Sequence, residues 1–314
     1  MNTIKWKDML GFENKTYAIL LKFLSLILPI MIALTGCSIK QPNTLKSRLL
    51  MPQKEHVKLH YIVKGKGEPL IMIHGFSSSL HTWSHLIGPL SQKYKVYALD
   101  LKGFGNSPKP RDDKYSVYDQ MLLVKDFMQE HHISNPIMIG HSLGGGVILS
   151  LALTGVKIKK MVLIDIAAYK QGLPKLLRWL QIPVLGRVGF YLLPSHYEIE
   201  EGYKYAFYDD DKIPQEGVNI LAKNLQSPNG KYAFAKASDF LIPDDIAAVS
   251  KRYKEIDIPT LIIWGYNDIV IRRDKAYRLH HDIKHSRLEF ISHCGHMPQE
   301  EAPEKTLALI EEFL

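Results

Sequence analysis

Gly140-His141-Ser142-Leu143-Gly144 sets a serine between two glycines, the G-x-S-x-G spacing in which a hydroxyl can act as a nucleophile. Attack on a carbonyl needs that hydroxyl to stand clear of its own backbone. A sharp strand-to-helix turn achieves this, and its tight packing needs glycine on either side. A serine hydroxyl is a weak nucleophile near neutral pH, so it also needs a base, and the base needs a third group to orient it. Asp268 and His296 follow downstream, giving the order Ser, Asp, His. In that arrangement His296 takes the Ser142 proton and later returns it to the leaving group, while Asp268 holds the imidazole tautomer and stabilises the imidazolium. The oxyanion needs backbone donors in fixed positions, and Leu143, next after the nucleophile, supplies one N–H.

Other residues of the same types compete for these roles. Asp165 closes an apolar run at Met161–Ile164 and is the alternative acid. His293 lacks the Gly-His-x-Pro setting of His296 and reads as a loop histidine. Cys294 has no basic partner in elbow geometry to activate its thiol. Asp100 and Ser107 read as shaping the loop after a strand, and Asp209–Asp211 as a solvated turn, because calcium-type sites want spaced oxygen ligands. Cys37 and Cys294 are the two cysteines, and neither C-x-x-C nor H-E-x-x-H occurs. No metal and no cofactor is expected.

Residues so far apart in sequence need a frame that brings them to one edge. Short apolar runs recur at Leu70–Ile73, Val96–Leu99, Ile137–Ile139, Met161–Ile164, Leu261–Trp264 and Leu288–Ile291, as in strands buried on both faces. Val117, Met121, Val124 and Met128 form a helical stripe, Gly144–Leu153 is small and apolar like a buried helix, and Ala302-Pro303-Glu304 opens a last helix ending at Leu314. Alternating strands and helices imply a parallel sheet with helices on both faces. The pattern breaks between Ala168 and about Lys254, where eleven aromatic residues from Trp179 to Phe240 lie among prolines 174, 183, 194 and 214. An excursion of that length is expected to form short helices that make a lid. Its aromatics fit either an apolar roof over a substrate or ordinary helix packing.

Five motifs in this order resemble the α/β-hydrolase superfamily over Glu55 to Leu314: His74-Gly75-Phe76, Asp100 to Ser107, Gly140 to Gly145, Trp264 to Asp268, and Gly295-His296-Met297-Pro298. The resemblance implies a mostly parallel central sheet flanked by helices, with a helical lid inserted after the sixth strand. The core is then expected at 55–167 and 255–314 and the lid at 168–254. It also implies that Phe76 supplies the second oxyanion N–H beside Leu143, and that His74 and His141 bond the loops around the site. Serine at the elbow disfavours the dehalogenases and epoxide hydrolases of the superfamily, which use aspartate. Phe76-Ser77-Ser78-Ser79 replaces the small glycine-rich stretch of the carbon–carbon hydrolases, and the Gly-Pro-Gly of the prolyl aminopeptidases is missing after His74-Gly75. The expectation is a carboxylesterase or lipase-like enzyme acting on carboxylic esters of lipophilic small molecules. A carbon–carbon or thioester hydrolase is the alternative, and a catalytically silent ligand-binding protein of the same fold is the second.

The first 36 residues read as an address. Four lysines lie upstream of Phe23–Leu34, a largely apolar run of 12 residues that is short for a membrane span of about 20. Leu34-Thr35-Gly36-Cys37 resembles the lipobox of bacterial lipoproteins, which implies cleavage before Cys37, lipid attachment there, and export to a membrane of the cell envelope. Ser38 after the cysteine favours the outer membrane if the host is Gram-negative. An uncleaved signal anchor is the other reading of this run. Residues 37–54, with Pro42 and Pro52, read as a tether. The formal charge is +8, and about +6 beyond residue 36, with basic residues scattered among acids. That is solubility chemistry, so no nucleic-acid partner is expected, and no obligate protein partner is implied. The 46% hydrophobic and 23% charged content fits a chain that folds in water.

Overall fold

The computed structural model describes residues 43–50, 57–173, 175–182 and 184–314. Seven strands form one sheet: β1 (Tyr61–Lys64), β2 (Glu68–Ile73), β3 (Tyr94–Leu99), β4 (Ile137–His141), β5 (Lys160–Ile164), β6 (Thr260–Gly265) and β7 (Ser286–Ile291). Their order across the sheet is β1-β3-β2-β4-β5-β6-β7, with β1 antiparallel to β3 and every other pair parallel. All six expected runs are strands. β1 was not expected, because Tyr-Ile-Val-Lys at an exposed edge carries no burial pattern. From β2 the chain steps outward to β3 and then crosses back to β4. That reversal makes the carboxyl ends of β2 and β4 the place where an open α/β sheet takes a ligand.

Thirteen helices surround the sheet or cap it: α1 (Leu45–Leu50), α2 (Ser84–Leu90), α3 (Val117–Glu130), α4 (Leu143–Ala152), α5 (Lys175–Leu180), α6 (Leu185–Leu192), α7 (Ser195–Ala206), α8 (Gln215–Gln226), α9 (Gly230–Asp239), α10 (Ile246–Val249), α11 (Asp274–Asp282), α12 (Pro298–Glu301) and α13 (Pro303–Phe313), counted among the described residues. α3 starts in a capping box: Ser116 Oγ accepts from Asp119 N–H at 3.1 Å, and the Asp119 carboxylate accepts from Ser116 N–H at 2.9 Å. Its stripe of Val117, Met121, Val124 and Met128 is wholly buried. Along β2 the side chains alternate between the two faces: Leu70 and Met72 join one core with Trp83 and Ile310, while Ile71 and Ile73 join the other with Val147 and Trp264. None of the described helices is long and apolar enough to cross a membrane.

The helical insertion leaves from β5 and returns at β6. It follows the fifth strand rather than a sixth, because the antiparallel N-terminal part of the sheet contributes β1 alone among the described residues. α5 to α9 share an apolar core of their own, built on Leu180, Phe190, Tyr203, Phe207, Val218 and Phe234 and reaching Met297. Val249 and Tyr253, at the end of the insertion, pack into the main core instead.

The stretch expected as a tether is shorter than its sequence suggests. Residues 43–50 contain α1, which is docked on the body: Leu45 is buried in the main core, Asn43 N–H donates to Asp244 and Leu45 N–H to Asp245, each at 2.9 Å, and buried Arg48 meets Asp119 at 3.4 Å. Two carboxylates at the start of a helix satisfy its free N–H groups, and one buried leucine fixes its face. The proposed signal run and Cys37 lie outside the described residues.

Candidate active site

Ser142 joins β4 to α4 with φ 49° and ψ −114°, a conformation that costs energy in any residue with a side chain. Hydrogen bonds hold the turn there. Ser142 N–H donates to the Ile164 carbonyl at 3.0 Å, and the Ser142 carbonyl accepts from Gly145 at 3.1 Å and Ala167 at 3.2 Å. The flanking glycine is a packing necessity: a β-carbon on Gly144 would stand 2.1 Å from the Ile73 carbonyl oxygen. The loop after β2 presses on the same turn, since a β-carbon on Gly75 would lie 3.0 Å from Ser142 Cβ. Phe76 and Leu143 neighbour these close approaches, and neither backbone N–H makes a hydrogen bond among the described residues.

His296 sits beyond β7 and Asp268 in the turn beyond β6. His296 Nδ1 and Asp268 Oδ2 are 2.8 Å apart, both side chains buried. The other Asp268 oxygen accepts from Val270 N–H at 2.7 Å and Ile271 N–H at 3.0 Å, so the carboxylate is fixed before it meets the imidazole. His141, next to the nucleophile, donates from Nε2 to the His296 carbonyl at 2.7 Å, with the rings 4.8 Å apart. Ser142 Oγ makes no hydrogen bond among the described residues. Such contacts commonly tighten only around bound substrate.

His74 and His141 serve the loops, as expected. His74 Nε2 accepts from Leu101 N–H at 2.9 Å, which puts its proton on Nδ1, donating to the Gly75 carbonyl at 2.7 Å. Burial pushes both histidines below the usual imidazole range, His141 furthest because His296 also faces it, so both stay neutral. Asp100 also matches its expected role: its carboxylate accepts from Leu80 N–H at 2.7 Å and Asn106 N–H at 2.8 Å, while Ser107 Oγ donates to its carbonyl at 2.6 Å.

The structure places the alternative acid beside the first choice. Asp165, at φ 44° just past β5, is fully buried and accepts from Gly265 N–H at 3.0 Å. Burial, and then the neighbouring Asp268 charge, hold its carboxyl well above the usual carboxylate range. One atom each from Asp165, Asp268 and His296 lie within 4.8 Å of one another, a spacing that could also hold a metal. With Nδ1 already bonded to Asp268 and Asp165 held protonated, this donor set suits proton sharing better than a cation. Cys294 is buried, and burial raises its thiol far above the range of a reactive thiolate. His293 is an exposed loop residue, and Asp209–Asp211 forms an exposed turn in which Asp209 caps Asp211 N–H at 3.2 Å.

Glu301 was not singled out from sequence. Its carboxylate accepts from Gly295 N–H at 2.6 Å, Tyr208 N–H at 2.9 Å and Asp209 N–H at 2.8 Å, while His296 N–H donates to the Ala206 carbonyl at 2.6 Å. The histidine loop and the end of α7 are thus stitched together. The only sequence signal was an acid five residues after His296, which carries no motif.

The family described as alpha/beta hydrolase fold matches residues 68–303. Among curated relatives, Lipase 3 of Moraxella sp. is 28% identical over 76% of this chain and 75% of its own. A 2-hydroxy-6-oxo-2,4-heptadienoate hydrolase of Pseudomonas putida is 25% identical over 85% of this chain and 95% of its own. Among solved structures, an alpha/beta hydrolase fold protein from Burkholderia ambifaria superposes with a TM-score of 0.72 at 26% identity, covering 81% of this chain and 93% of that one.

Proposed function

This chain belongs to the α/β-hydrolase fold family, and on that premise we propose a serine hydrolase that cleaves carboxylic esters of lipophilic small molecules through an acyl-enzyme at Ser142. The observation that carries the reading is the fixed Asp268–His296 pair tied through His141 to the strained serine turn. Ser142 Oγ attacks the ester carbonyl carbon while His296 takes its proton. The Phe76 and Leu143 N–H groups receive the oxyanion. The C–O bond breaks, and the alcohol leaves with the proton from His296. Water then gives its proton to His296, attacks the acyl carbon and releases the acid, restoring Ser142. Similarity to a lipase supports the ester as substrate class. The apolar cores that meet around Phe76, which contacts both the main core and the lid, support a lipophilic one.

A carbon–carbon hydrolase is the second reading, favoured by the Pseudomonas putida relative, whose named substrate contains no ester. Hydrolysis of p-nitrophenyl esters from acetate to laurate by the full chain separates them. We expect turnover that falls by about 10⁴-fold or more in Ser142→Ala. No turnover with any ester would favour carbon–carbon substrates or a silent binding protein.

The lipobox-like segment supports an envelope lipoprotein anchored through Cys37. On that reading Cys37→Ser moves the protein from the membrane to the soluble fraction; a variant that stays with membranes would mean a signal anchor instead.

A further inference from the structure

Six large apolar side chains left outside gather on one part of the lid. Trp179 on α5, Ile182 between the helices, and Leu185, Val188, Tyr191 and Leu192 on α6 are all exposed, Leu185 at 73% and Leu192 at 79%. On α6 the positions 185, 188 and 192 share one face by helical spacing, while Gly186 and Phe190 point the other way into the lid core, where Phe190 stacks on Phe234. The two helices cross closely through glycine: a β-carbon on Gly186 would lie 2.1 Å from the Trp179 carbonyl oxygen, and one on Gly189 would lie 2.1 Å from the Trp179 ring. The indole therefore lies against α6, and both helices contribute to one apolar face.

The sequence of this segment carries charge of one sign. Between residues 166 and 197 the sequence holds Lys170, Lys175, Arg178 and Arg187 and no Asp or Glu, in a chain with 32 acids to 40 bases. Lys170 and Arg178 are exposed and belong to none of the ion pairs among the described residues, whereas Arg187 meets Asp239 at 2.6 Å. Short helices with leucine and tryptophan on one side and no acidic residue in their own segment fit a surface that is apolar just beneath an anionic layer.

We infer that this face of α5 and α6 docks on a bilayer bearing anionic headgroups, with Trp179, Leu185, Val188 and Leu192 entering the acyl boundary and Lys170 and Arg178 meeting the headgroups. A second copy of the chain is a poorer occupant, because a symmetric contact would bring the exposed Arg178 of one copy, unpaired among the described residues, toward that of the other. No described helix is long and apolar enough to span the membrane, so the helices lie in its surface. The inference is independent of the hydrolase reading and of any anchor at Cys37.

The test uses tryptophan as a local probe. Of the four tryptophans, Trp83 and Trp264 are fully buried, so a full chain carrying Trp6→Phe leaves Trp179 as the exposed reporter. It is added to vesicles of equimolar phosphatidylcholine and phosphatidylglycerol, with and without bromine on the acyl chains. Bromine quenches only near contact, so tethering through another part of the chain leaves Trp179 bright. We expect quenching in the anionic vesicles, its loss in pure phosphatidylcholine, and a requirement for at least about tenfold more lipid in the double variant Leu185→Ser/Leu192→Ser and in Arg178→Glu. Those side chains are exposed, so thermal melting should not change. Equal emission in brominated and plain vesicles would overturn the proposal. So would a blue shift that grows with protein concentration without lipid, which would assign the face to a second copy.

Discussion

Asp165 and Asp268 stand on neighbouring strand ends in different surroundings. Asp268 takes two backbone N–H groups and the imidazole. Asp165 is cut off from water and lies beside the Asp268 carboxylate, and these outweigh its one backbone donor and leave it a neutral acid. Asp268→Asn should therefore cut kcat by about 10³ to 10⁴-fold, since the imidazole loses the carboxylate that fixes its tautomer. Asp165→Asn should keep most of the activity. Steady-state kinetics on both variants checks this, and a larger loss in Asp165→Asn would reverse the assignment. The same residue predicts a pH effect. A carboxyl protonated when folded but ionised when unfolded binds the extra proton in the folded state, so its contribution to stability is complete below about pH 4 and lost as pH rises toward its raised folded value, by up to about 1.4 kcal/mol per pH unit. Denaturation of Asp165→Asn across that range should show a shallower fall than the parent chain. Ser142, Asp268 and His296 were legible because each stands in its own short motif just past an apolar run. The pairing of Asp165 with Asp268 was not, because it arises from β5 lying beside β6 across about a hundred residues of chain.

At the scale of elements, the end of α7 and the histidine loop form one unit. Glu301 is the joint: it accepts from three backbone N–H groups, two from the lid and one from Gly295. Glu301→Ala leaves those donors without it, at about 1 to 3 kcal/mol for each that stays buried. The expected result is a lower melting temperature together with a fall in kcat, because His296 loses its fixed approach. Unchanged kcat in a destabilised variant would mean that the joint serves stability alone. Strands and the capped α3 were readable from periodicity, since burial on one or both faces writes itself into the pattern. The lid was readable only as a break in that pattern. Of its aromatics, Phe190, Tyr203, Phe207 and Phe234 pack the lid's own core, while Trp179, Tyr191, Tyr197, Tyr205 and Tyr208 remain exposed. Helix packing thus accounts for part of the aromatic content, and a face turned outward for another part. Spacing alone could not separate the two, because an aromatic on a short helix has the same period on either side.

At the scale of the molecule, the strand order accounts for where the chemistry gathers. The reversal between β2 and β4 brings the Phe76 loop and the Ser142 turn together, and β5, β6 and β7 then deliver Asp165, Asp268 and His296 in succession. The lid also meets the core beside the Phe76 loop, where a small cavity of about 20 Å³ lies between Ser78 and Phe104 on one side and Ile199, Leu221 and Phe234 on the other. The most direct test of the catalytic assignment is covalent. A fluorophosphonate presents a tetrahedral phosphorus to the nucleophile, which displaces fluoride and keeps the phosphonyl group, and peptide mass spectrometry then locates the bond. The expected result is a single modification on the peptide carrying Ser142, absent in Ser142→Ala and much slower in His296→Ala. Modification elsewhere, or labelling that persists in Ser142→Ala, would contradict Ser142 as the nucleophile.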